Sequence, residues 1–208
     1  MPYIDYTSQG GTVPNGGHFR ANLKTGATTG LTAGQPIASL RWTDTAHLFV
    51  LLGIKAWANI NTAFTAAQLV DLEAFAVRQY TAVDSGGTAV LPITGSSTVW
   101  PQLPRMRDVG GNAMGPTLLN DLRIATTGTL TAGTRLLDGT GFAIAQFGSS
   151  NALGNAAEVE MYKVNPGNDQ ALVLGANEGI VFQVPTAQGA VGKVVYYINL
   201  WWAEVVAY

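Results

Sequence analysis

The chain has 208 residues, no cysteine, 11 basic and 13 acidic side chains and a net charge of −2. This balance excludes a broad basic surface for nucleic acid or for an anionic membrane, and the missing thiols exclude disulfides, thiolate metal sites and cysteine nucleophiles. Charged residues are 12% of the chain, about half the ~25% usual for soluble domains, which points to a subunit whose surface is finished by neighbours.

From the N-terminus, Met1-Pro2-Tyr3-Ile4-Asp5-Tyr6 has no basic region leading into an apolar run. A protein made without a cleaved leader is expected. Residues 1–35 hold few hydrophobes and many turn formers, among them Gly10-Gly11, Pro14-Asn15-Gly16-Gly17, Gly26, Gly30 and Gly34. They read as an extended arm ahead of a single domain over 36–208. The longest apolar stretch, Leu48 to Leu52, is far below the ~20 residues of a spanning helix.

Strand signals then recur. Ile37 to Trp42 is a short candidate, and His47 to Ile60 alternates over its whole length. One face there carries Leu48, Val50, Leu52, Ile54, Ala56, Ala58 and Ile60, with Gly53 as a candidate kink. Thr65 and Gln68 have capping-box spacing, so one helical turn over 65–69 is expected before a strand that runs through Tyr80. Asp84-Ser85-Gly86-Gly87 is a turn, and prolines and glycines make 90–122 irregular. Short strands are expected at 123–125, 134–137, 142–147, 157–164, 171–174, 180–184 and 194–206. This spacing predicts an all-β fold, an antiparallel jelly-roll-like β-sandwich with a Gly-rich arm.

Thr28-Thr29-Gly30-Leu31-Thr32-Ala33-Gly34 is echoed by Thr126-Thr127-Gly128-Thr129-Leu130-Thr131-Ala132-Gly133. A repeated turn solution accounts for it better than a duplicated half.

The last strand is apolar on both sides. Val194, Tyr196, Ile198, Leu200, Trp202, Glu204, Val206 and Tyr208 share one face, and Val195, Tyr197, Asn199, Trp201, Ala203, Val205 and Ala207 the other. An antiparallel sheet commonly wets one face, so the second face needs cover. Cover by a sister subunit makes Tyr197, Trp201, Trp202, Val205 and Tyr208 the expected interface residues.

No catalytic, metal or cofactor site emerges. His18 and His47 lack metal-helix spacing, and no Gly-x-Ser-x-Gly elbow is present. Gly189-Ala190-Val191-Gly192-Lys193 lacks the spacing of a phosphate loop and reads as a hairpin turn. The pairs Asp71/Glu73 and Glu158/Glu160 each fall on one strand face, whereas glycosidase carboxylates oppose each other across a cleft; both pairs are expected to face solvent.

Ordered segments carry a resemblance. Leu40-Arg41-Trp42-Thr43-Asp44, Thr62 to Gln68, Asp84 to Ala89, Arg123 to Thr127, Leu130 to Arg135, Asn177-Glu178-Gly179-Ile180 and Trp202-Ala203-Glu204-Val205 together resemble a group of small tailed-bacteriophage virion proteins. The resemblance implies a virion structural component, a capsid decoration (cement) protein made in the host bacterial cytoplasm. Its implied partners are itself, as a homo-oligomer with a trimer as the expected state, and the major capsid protein or other virion proteins. Neither nucleic acid nor membrane is an expected partner. The alternative is a tail- or fibre-associated protein whose aromatic residues bind a host glycan.

Overall fold

The computed structural model describes residues 17–90, 99–101, 118–165 and 170–206. Among them there is no helix, and the strands form two antiparallel sheets. The first sheet runs β10 (Gly154–Asn155), β3 (His47–Thr62), β14 (Lys193–Val206), β1 (Gly17–Lys24), β6 (Val99–Pro101). Two further short strands, β11 (Val159–Lys163) and β12 (Val173–Leu174), also pair with β3. The second sheet runs β5 (Thr88–Ala89), β7 (Asp121–Ile124), β2 (Pro36–Arg41), β13 (Gly179–Gln183), β4 (Gln68–Tyr80), β8 (Arg135–Leu137), with β9 (Ala143–Ser150) also on β4. The expected β-sandwich is present; the strand orders do not establish jelly-roll connectivity.

Period-two patterning explains the core. β14 sends Val194, Tyr196, Ile198, Leu200 and Trp202 inward with no exposed surface. Ile180 and Phe182 of β13 and Val70, Leu72 and Ala74 of β4 belong to the same buried cluster. Each large side chain buried this way contributes about 1.5–3 kcal/mol. Trp202 is stacked between Phe19, at 5.8 Å, and Phe49, at 5.5 Å. Its indole N–H donates to Glu204 Oε1 at 3.0 Å, and Trp42 Nε1 donates to the His47 carbonyl at 2.8 Å. No buried indole N–H in this stack is left unsatisfied, which such burial requires.

Four expectations need correction. Residues 17–24 are not arm but β1, seated between β14 and β6, with Phe19, Ala21 and Leu23 buried. Alternation of these three with polar residues is a strand signal that the surrounding glycines mask; residues 1–16 lie outside the described residues. No helical turn forms at 65–69, because residues 65–66 make a bend and β4 has begun by Gln68. The segment 189–193 is not a hairpin turn, since β13 and β14 lie in different sheets and it carries the chain between them. Asp71 is 2% exposed rather than solvent-facing, and its carboxylate accepts from the Thr186 hydroxyl at 2.6 Å.

The echoed segments lie side by side. Gly26 donates to the Ala125 carbonyl at 2.9 Å and Thr29 to that of Thr127 at 3.0 Å. The corresponding leucines, Leu31 and Leu130, are both buried. A Cβ on Gly26 would stand 1.8 Å from the Thr126 carbonyl oxygen, so only glycine allows this approach.

Candidate interaction surface

β14 lies between β1 and β3, so its outer side occupies the middle of the first sheet. Its ladder with β3 slips twice, at the start between Lys193 and Val194 and again between Trp201 and Trp202. At the second slip Trp201 faces Gly53 while Trp202 faces Leu51, which leaves Leu52 as the extra residue of a bulge. β14 keeps its alternation through this slip, and β3 does not. Ile54, Ala56, Ala58 and Ile60 enter the core on one side of the bulge, Phe49 and Leu51 on the other. A one-residue slip exchanges the faces of a strand, so Leu48 and Val50 turn outward, opposite Val205 and Ala203.

An apolar field results at this end of the sheet. Leu48, Trp201 and Val205 are half-buried, and Val50 and Ala203 are buried among them. On the next strand Val173 lies opposite Val50 and is 43% exposed. Trp201 lies over Gly53, where an added Cβ would stand 3.4 Å from its Cε3.

Beyond the bulge the same face becomes polar and cationic. Arg20, Asn22 and Lys24 of β1 stand in register with Trp201, Asn199 and Tyr197 of β14, which face Gly53, Lys55 and Trp57 of β3. The Tyr197 and Trp57 rings are parallel within 2°, with centroids 4.9 Å apart. Flat neighbours could not approach so closely, so the rings stand face to face. Lys24 Nζ lies 5.7 Å from the Tyr197 centroid and Lys55 Nζ lies 6.0 Å from that of Trp201, both near the range of cation–π attraction. Lys55 also donates to Glu158 Oε1 at 2.8 Å, and that bond holds its ammonium above the ordinary lysine range.

Of the predicted interface residues, Tyr197, Trp201 and Val205 share this outer face. Trp202 does not. It is fully buried in its own chain's core, because consecutive strand residues point to opposite sides. Tyr208 lies outside the described residues. Sequence reasoning missed Leu48, Val50, Arg20, Lys24 and Trp57 as members of the surface. Gly53, the candidate kink, was the available signal for the first two.

Elsewhere, several described titratable groups are paired or buried. Asp84 pairs with Arg135, their side chains 0% and 6% exposed, and Asp84 Oδ1 also accepts from the Gly133 amide at 2.7 Å. Burial pushes the Tyr80 and Tyr196 hydroxyls well above the usual tyrosine range, which keeps them protonated. Glu160 and Lys163 pair at 3.8 Å. Among the described residues no group of three or more His, Cys, Asp or Glu could hold a metal ion.

Comparison with protein-family models, curated proteins and solved structures found no match for this chain.

Proposed function

We propose that this chain is a non-enzymatic virion structural protein, a capsid decoration subunit that forms a homo-oligomer, preferentially a trimer, and reinforces a phage shell by burial. The observation that carries the reading is the partly exposed apolar field of Leu48, Val173, Trp201 and Val205, set around the buried Val50 and Ala203, on the outer face of the first sheet. Large apolar patches of this kind mark interaction sites. The low charge of the chain and its resemblance to tailed-phage virion proteins support the same reading.

Its mechanism needs no chemistry. A sister copy covers the apolar field, and the oligomer bridges neighbouring major capsid protein subunits, adding contact area that must be broken before the shell opens. Burial of about 800 Å² per partner is enough for a stable association. The glycan-binding alternative requires aromatic ring faces open to solvent. Tyr197 has one face against Trp57 and a lysine over its ring, which counts against it.

The test is cosedimentation with empty heads of the phage whose genome encodes the chain. The proposal expects the oligomer to pellet with the heads and to raise the temperature at which they open. An oligomer that leaves the heads unbound and binds an arrayed host glycan overturns it.

A further inference from the structure

We infer that the cationic end of the first sheet's outer face, from Arg20 to Trp57, docks a carboxylate-bearing protein surface belonging to a different molecule, not a second copy of this chain. The inference goes beyond self-association and stands whether or not the assembly is a virion.

The charges carry the first step. Arg20 and Lys24 are exposed and make no ion pair with any described residue; Lys24 lies over the Tyr197 ring. The neighbouring Lys55 and Lys163 are neutralised by Glu158 and Glu160. Two uncompensated positive charges thus stand four residues apart on one strand, side by side with half-buried aromatic rings. Their groups are donors only: a guanidinium and an ammonium, flanked by the amides of Asn22 and Asn199. Such a surface selects an acceptor-rich, negatively charged partner.

The second step concerns the described residues of a sister copy as that partner. Every described carboxylate except that of Glu73 already has an ion-pair or hydrogen-bond partner in its own chain. Among the described residues a sister copy therefore offers one carboxylate without a partner, Glu73, and the exposed pairs of Glu158 and Glu160 would have to be broken first. The third step concerns the class of anion. Single-stranded nucleic acid binds sheet faces by stacking bases on open rings, but the Tyr197 and Trp57 rings are occupied by each other. Carboxylates need only the donors. Bidentate recognition of carboxylate suits Arg20.

Immobilised poly-L-glutamate is the probe, with dextran sulfate and a single-stranded oligonucleotide as competing anions, and the full chain as analyte. The wild type is expected to bind poly-L-glutamate in preference to both, with binding that weakens as salt rises. The variant Arg20→Glu/Lys24→Glu is expected to lose at least about tenfold in affinity, while Arg78→Glu, on the other sheet, changes it less than about twofold. Sedimentation of the double variant should show the same oligomeric mass as the wild type, which separates this contact from self-association. No binding to poly-L-glutamate, equal binding by the double variant, or tighter binding to either competing anion would overturn the inference.

Discussion

Trp201 and Trp202 are neighbours in the chain and point to opposite faces of β14. Trp202 is wholly inside, stacked on Phe19 and Phe49, while Trp201 lies over Gly53 on the outer face. Their alanine variants should therefore part company. Trp202→Ala is expected to cost about 3–5 kcal/mol of stability through the cavity it leaves. Trp201→Ala should cost well under half of that and act on association instead. Urea denaturation of both variants, followed by sizing, checks the difference.

The Asp84–Arg135 pair is a buried charge contact, and removing one partner strands the other. Arg135→Met is expected to destabilise by about 3–5 kcal/mol. The double variant Asp84→Leu/Arg135→Met should recover part of that loss, because no charge is then left without its counter-ion. A double-mutant cycle by chemical denaturation measures both numbers.

Asp44 opens β3. Its Oδ1 accepts from the Ala46 and His47 amides at 2.9 and 2.7 Å and from His47 Nδ1 at 2.8 Å. Burial opposes its ionisation, but these bonds outweigh burial and hold the carboxyl below its ordinary value of 3.8. A depressed folded value means that the stabilisation is complete above the unfolded value and fades as pH falls through the folded one. Asp44→Ala should thus cost about 1 kcal/mol near neutral pH, and the gap to wild type should narrow below about pH 4. Thermal melts across that range test the sign.

Gly26→Ala should destabilise by about 1–3 kcal/mol, since its Cβ meets the Thr126 carbonyl and nearby backbone must move. Gly26 stands two residues ahead of the first echoed segment; Gly128→Ala, inside the second, has open space around it and should stay within about 0.5 kcal/mol. Melting temperatures of the two variants decide whether the paired echo segments matter to stability.

Strands β3 and β14 were legible because each is a long run with apolar residues at nearly every second position and few turn formers, and the two-faced apolar character of β14 was visible directly. The exchange of faces inside β3 was not. Leu48 to Leu52 is apolar at every position, so its pattern reads the same whether it starts in or out, and only pairing with β14 fixes which. β1 was hidden for a different reason: three inward residues amid glycines carry too little signal. Trp202 was placed at an interface because an apolar residue looks alike from the sequence whether its own core or a neighbour covers it. The cationic rows came from register across three strands distant in the chain, which no local pattern encodes.

Sedimentation equilibrium of the purified chain at micromolar concentration tests most directly whether the outer face of β14 is covered by a sister copy. The account predicts a mass that is a multiple of 21.8 kDa, three-fold by preference, falling to the single-chain value in Leu48→Asp/Val205→Asp with its β-sheet circular dichroism unchanged. A wild-type chain that sediments as one copy at every concentration would contradict it.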